Sequence, residues 1–389
     1  MKNSIRLALA VCIAVSAFGA SHPPKLGRSA AQPRQFPAPA LRESIEGAAV
    51  VQRLPKLDAF EIDALKRANA NDGRLEIGVV RTFENAVAVA PAAALSGPVQ
   101  WRGKVAVEGG YRLRAKLTEI DLAPDTILWV YGASGEAIGF DPGSAFEGTL
   151  WTPTVEGSEI TIEVRSSRHV AFRIAAVADI RPEWEVTTTG TECFRDLACH
   201  SEYGVQDSAT AIASYTFISG SSVGACSGGL IIDAAETFQP YFLTARHCVS
   251  TATEAATVEA VWDYRAASCN ALPPSRASRP KTVGATLLAT SAMSDVTLLK
   301  LSSVPGTRYW LGWSADVLPA GTPVHRVSHP QAGPQKFTRG TVDTSFVGCS
   351  SSPRPGYVYQ SLTTGGTTGG SSGAPLLWDE GFIVGQLRS

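Results

Sequence analysis

Ser372 lies in Gly370-Ser371-Ser372-Gly373-Ala374-Pro375, a Gly-x-Ser-Gly-x-Pro run. Flanking glycines let a serine sit on a tight turn, hydroxyl exposed, with backbone N–H groups turned toward one point. Attack by such a serine on a carbonyl creates an oxyanion that fixed donors must stabilise. Taken alone, the run is also what a flexible Gly/Ser loop looks like. A serine nucleophile further needs a base to take its proton and an acid to orient that base. Two upstream stretches supply candidates.

His247 ends Thr244-Ala245-Arg246-His247 and follows the apolar Tyr241-Phe242-Leu243. A histidine just past a strand end can face a cleft. Asp295 immediately precedes the apolar Val296-Thr297-Leu298-Leu299. A carboxylate there can be partly buried at a core edge. It would fix one imidazole tautomer and stabilise its cation, leaving the other nitrogen for the Ser372 proton. Plainer readings exist: His247 as a loop residue beside a cysteine, Asp295 as a turn residue. The order His247, Asp295, Ser372 within one half of the chain favours the chemical reading. It also argues against an esterase or lipase, where the serine comes first.

The elements that must position these residues read as strands. Short apolar or alternating runs recur between Gly/Pro-rich turns, and helical stretches between them are absent, which favours an antiparallel all-β architecture. Residues 1–20 read as a signal peptide: Lys2 and Arg6 precede the apolar run Leu7–Phe18, with cleavage near Gly19 or Ala20. Residues 21–54 are rich in Pro, Ala and Arg and read as a linker or loosely held pro-segment. Residues 55–180 read as a β-rich N-terminal domain, a β-sandwich, led by one amphipathic helix over Ala59–Ala70 whose Phe60, Ile62 and Leu65 share a face. A junction falls at 181–192, and 193–389 forms the second domain.

The blocks Thr244-Ala245-x-His247-Cys248, Asp295-x-x-Leu298-Leu299 and Gly370-x-Ser372-Gly373-x-Pro375 resemble the three signature blocks of trypsin-like, chymotrypsin-fold serine proteases. YFLTARHC, SDVTLLKL, the Ser328-His329-Pro330 run, GGSSGAP and VGQL look more like the bacterial lysyl endopeptidase branch. The resemblance covers about Cys193 to the C-terminus, and the N-terminal domain looks more loosely like the propeptides of related secreted bacterial proteases. It implies a double β-barrel, His247 as general base, Asp295 as its orienter, Ser372 as nucleophile, and the N–H groups of Gly370 and Ser372 as oxyanion hole. Gly366 is then expected to line the substrate pocket. Cys226–Cys248 and Cys199–Cys269 are the implied disulfides, the first worth roughly 3 kcal/mol in the chain-entropy model. A Cys193–Cys349 bridge is open, without support from the family.

The resemblance has departures. Ser371 stands where animal trypsins carry the aspartate that pairs with a new N-terminus, so activation by that ion pair is not expected; removal of the N-terminal domain near 181–192 is. The strand, terminal helix and pocket-wall acid that the family places after Gly-Gln-Leu would fall beyond Ser389, and Arg388 stands where the lysyl branch tends to carry a histidine. Lysine specificity is therefore not implied. The alternative is an inactive, truncated relative whose N-terminal domain is a binding module.

Composition bounds the rest. Lys+Arg (34) balances Asp+Glu (35), so nothing in the charge favours nucleic acid or an anionic membrane surface. No stretch after the leader suits a membrane span. Of seven cysteines, Cys12 lies in the leader and the other six in the second half, as disulfides of an exported chain would. No metal-ligand spacing stands out. The expected protein is thus a secreted, monomeric serine endopeptidase made as a zymogen, acting on protein or peptide substrates through an acyl-enzyme, with no cofactor, metal, nucleic acid or stable membrane association.

Overall fold

The computed structural model describes residues 21–36, 48–71, 74–89, 99–133, 135–140, 143, 145–166, 170–181, 193–202, 204–344, 357–379 and 381–388. The expected leader, most of the expected 181–192 junction, and Cys349 lie outside the described residues. Strands dominate, as an all-β reading requires.

The first half packs two sheets around one core. One is the five-stranded sheet built from 49–54, 99–107, 159–166, 127–131 and 137–140. The other contains β1 (Leu75–Val89), β2 (Arg112–Leu122) and β3 (Val170–Ile180), ordered β2-β3-β1. Val105, Leu113, Leu117, Leu128, Ile162 and Ile174 are buried between them. This is the expected sandwich. The helix α1 spans Ala59–Asn71, one residue beyond the expected range. Its start is a capping box: Asp58 Oδ1 accepts from Glu61 N (2.8 Å), and Asp58 N donates to Glu61 Oε2 (2.9 Å). The expected shared face is formed only in part, with Ile62 half-buried. Leu65 is buried, but Phe60 is 74% exposed, with Arg67 over its ring.

The second half holds β4 (Ile212–Ser219), β5 (Ser222–Leu230), β6 (Tyr241–Ala245) and β7 (Val296–Leu301) in one curled sheet. A second sheet contains β8 (Pro323–Ser328), β9 (Pro375–Trp378) and β10 (Phe382–Gln386). A core including Tyr215, Phe217, Phe242, Trp262, Trp310, Val327, Phe337 and Leu377 fills the space between these sheets. Two packed, largely antiparallel sheets of this kind fit the expected chymotrypsin-like all-β fold.

Two features depart from a chain of independent domains. First, β1 pairs antiparallel with β5, with Leu75 opposite Ala225 and Val79 opposite Ser222, so one twelve-stranded sheet crosses both halves. Second, the described parts of 21–54 are paired rather than loose. Lys25–Arg28 pairs with Thr307–Trp310, Ser21–His22 pairs with Gly312–Ser314, and Ala49–Leu54 runs parallel to Val99–Val107. Their partners are remote in sequence, so local periodicity carries no trace of them.

Charged groups are buried where the halves meet. Arg114 donates to Thr152 O (2.8 Å) and Thr257 O (2.9 Å). Glu259 Oε2 accepts from Thr154 N (2.6 Å), and Lys281 Nζ donates to Thr154 O (2.8 Å). Burial alone would push the Glu259 carboxyl up, but Lys281, Arg114 and the Thr154 N–H together hold it below the usual range. Arg114→Ala should strip two buried carbonyls of their donor and remove one cation from Glu259, costing about 3–5 kcal/mol. Urea unfolding of the full chain measures this; a loss below about 1 kcal/mol would mean that water replaces the guanidinium.

Candidate active site

Register brings the base and the acid together. Ala245 on β6 lies opposite Val296 on β7, so the residues just past one strand's end meet those just before the other's start. Arg246 N extends the ladder by donating to Asp295 O (2.9 Å). Asp295 turns there with φ 52°, a left-handed conformation that Asp tolerates better than bulkier residues. Both its carboxylate oxygens then serve His247: Oδ1 accepts from the His247 backbone N–H (2.9 Å) and Oδ2 from Nδ1–H (2.7 Å). The proton assigned to Nδ1 by this bond leaves a lone pair on Nε2. Nε2 is buried without a hydrogen-bond partner among the described residues. Gln386 Nε2, from β10, donates to Asp295 O (2.7 Å) and steadies the turn from the opposite sheet.

The Ser372 turn is seated directly on the strand that delivers His247. Gly373 has φ 82°, and a Cβ there would collide with Thr244 Oγ1 and Ser227 O and stand 2.8 Å from Ala245 N. Ser372 O accepts from Ser227 N (2.9 Å), and Gly373 N donates to Leu387 O (2.8 Å). Thr244 Oγ1 donates to Ser227 O (2.9 Å) and so accepts from the Tyr215 hydroxyl (2.7 Å). Burial pushes the Tyr215 phenol up, so it remains a donor. The disulfide Cys226–Cys248 links the residue before Ser227 to the residue after His247; Cys199–Cys269 is formed as well.

Peptide planarity sets the directions of the two candidate hole donors. Gly369 O accepts from Gln331 N (2.7 Å). No peptide among the described residues is cis, so Gly370 N–H points away from Gln331. Ser371 O likewise accepts from Ala374 N (3.1 Å), turning Ser372 N–H away from Ala374. Ser371 itself is buried and accepts from Ser328 Oγ (3.2 Å). Gly366 packs against the second half's own start: a Cβ there would lie 2.9 Å from Cys193 O. Cys193 is exposed.

His329 borders this loop. Its Nδ1–H donates to Gly333 O (2.8 Å), and its ring stacks on Tyr264 at 6.4 Å. Burial lowers its pKa to about 3, so it is neutral. From the other half, Leu75 lies against the loop: a Cβ on Gly369 would be 3.4 Å from Leu75 Cβ.

The model of the lysyl endopeptidase C-terminal domain matches residues 187–389, just over half of the chain. The chain belongs to the lysyl endopeptidase family. It is similar to a lysyl endopeptidase of Pseudomonas aeruginosa, 26% identical over 313 residues, covering 75% of this chain and 66% of that relative. Partial likenesses to solved structures include an HtrA-type protease with a tripeptide (TM-score 0.34, 18% identity, 47% of this chain, 52% of that one). Another is Rv3671c of M. tuberculosis in an inactive form (TM-score 0.35, 16% identity, 52% and 88%). The family places the chain among trypsin-like serine proteases.

Sequence reasoning singled out His247, Asp295, Gly370 and Ser372; the structure gathers their segments at the meeting of the two sheets, but Ser372, expected with an exposed hydroxyl, is fully buried. The same reasoning missed Tyr215, Ser227 and Gln386 as supports. Ser227 had one local sign, its place directly after Cys226 among small residues. Gly373→Ala should displace the Ser372 turn by about an ångström and slow serine labelling at least ~10²-fold. Stopped-time labelling with a fluorophosphonate, beside circular dichroism, checks this; parent-like labelling would show that the turn is not held against Thr244.

Proposed function

We propose that this chain is the precursor of an exported serine endopeptidase using His247, Asp295 and Ser372. The observation that supports it best is the double hold of Asp295 on His247, backbone and ring together, beside a serine turn that only glycine at 373 permits. In this reading Ser372 Oγ bonds to the peptide carbonyl carbon while its proton passes to His247 Nε2. Asp295 keeps Nδ1–H in place and stabilises the imidazolium. The N–H groups of Gly370 and Ser372 receive the developing oxyanion. The C–N bond then breaks as His247 returns the proton to the leaving amine. Water, deprotonated by the same nitrogen, releases the acyl group and restores Ser372. Substrates are proteins or peptides. Lysine selection is no part of the reading, since Gly366 carries no charge.

The test is intact-mass analysis of secreted protein after a fluorophosphonate, beside Ser372→Ala. One adduct on the parent and none on the variant is expected, with turnover of a peptide substrate lowered on the order of 10⁶-fold. A folded parent that takes no adduct overturns the proposal.

Residues 21–180 would then act as a pro-domain, removed by cleavage within 181–192. Leu75 against Gly369 and the β1–β5 pairing support this, because both lie beside the Ser372 loop. The leader and the disulfides fit export to the periplasm or medium. N-terminal sequencing of the active secreted form should read a start within or just after 181–192. A fully active, uncut chain would remove the pro-domain role.

A further inference from the structure

Trypsin-like activation normally relies on an ion pair one residue before the nucleophile, and this chain has Ser371 there. Something else must hold Gly370, which has no Cβ to limit it and sits at φ 92°. The direction of its N–H is only as fixed as the peptides on either side. On one side Gly369 O is held by Gln331 N (2.7 Å). On the other, Ser371 N–H is held by Thr368 O (2.9 Å), and Gly370 O accepts from Ser227 Oγ (2.8 Å). The same buried hydroxyl accepts from His329 N (2.9 Å).

We propose that Ser227 is a positioning residue for the reaction, its hydroxyl locking the Gly370 peptide to the His329 loop so that Gly370 N–H faces the oxyanion. The proposal rests on the serine-protease reading above. Its proton goes to the serine loop and one of its lone pairs to the neighbouring loop. A Cβ on Gly370 would lie 2.8 Å from His329 O, so the two loops are in direct contact and Ser227 is the clasp between them. Its backbone serves the same assembly, with N–H to Ser372 O and carbonyl from Thr244 Oγ1. Only the hydroxyl is removable, which makes it testable on its own. No ionised side chain takes part, so the hole would need no new N-terminus to form.

The experiment is the concentration dependence of fluorophosphonate inactivation for secreted parent, Ser227→Ala and Ser227→Thr. This separates the saturating rate from the half-saturating concentration. Ser227→Ala should lose about 10- to 100-fold in saturating rate, less than the 10²–10³ of deleting a donor outright. Its half-saturation should stay within about twofold, the signature of an interaction made only in the transition state. Ser227→Thr, which keeps the hydroxyl, should recover most of the rate. If Ser227→Ala does not fold, Ser227→Gly is read instead, with the same loss expected. A parent-like saturating rate in a variant that merely melts earlier overturns the proposal and leaves the protease reading intact. A folded parent with no adduct removes the protease reading, and this role with it.

Discussion

The candidate site hangs on one antiparallel register. With Ala245 opposite Val296, Asp295 must arrive beside His247. Because side chains alternate across a strand, a one-residue slip of β7 would send Asp295 to the other face and bring Ser294 in its place. Leu299 and Leu301, buried on one face of β7, resist that slip because it would expose them. Core packing therefore fixes the geometry of two polar residues that do not belong to the core. The Cys226–Cys248 bridge then fixes the same corner from the other strand.

Beneath the serine turn the structure pairs its buried hydroxyls locally. Ser227, Thr244 and Tyr215 form a short chain of hydroxyl and carbonyl contacts under the serine turn. Each is buried, so each bond counts more than it would in water, and each unmade bond would be costly. At the meeting of the halves the same rule holds for full charges. Glu259 is surrounded by Lys281, Arg114 and the Thr154 N–H. Such a cluster contributes little as net stabilisation yet punishes any arrangement that separates its members. It favours one docking of the first half on the second.

The chemistry-bearing residues were legible because each sits in a local context that its task requires. His247 follows a strand, Asp295 precedes one, and Ser372 lies between glycines. A strand whose burial alternates was legible too, as in 296–301. β4 was not: Ile212 to Ile218 are all buried, and a strand buried on both faces has no alternation to read. The pairing of 21–28 with 307–314 was hidden for another reason, since nothing near Ser21 reports an edge nearly 300 residues away. Ser227 combines both difficulties. Its hydroxyl partners lie 143 and 102 residues distant, and a serine between Cys226 and Gly228 looks like filler. Phe60 was misread because helical spacing names a face without saying how wide the contact is.

The sheet that crosses both halves has a consequence for what the proposed cleavage would leave behind. The pairing of Leu75–Val79 with Ser222–Ala225 closes an edge of the second half and covers Ile218, Val223, Ala225 and Ala332. A second half released from the first would show an open row of backbone groups lined with apolar side chains, the kind of edge that recruits any extended segment. The same complementarity is available to the Leu75 strand of a neighbouring chain. Precursors at high concentration thus have the means to exchange strands, each first half completing the sheet of another molecule. The timing of the proposed cleavage relative to folding would then decide whether such a chain would mature alone or in swapped pairs.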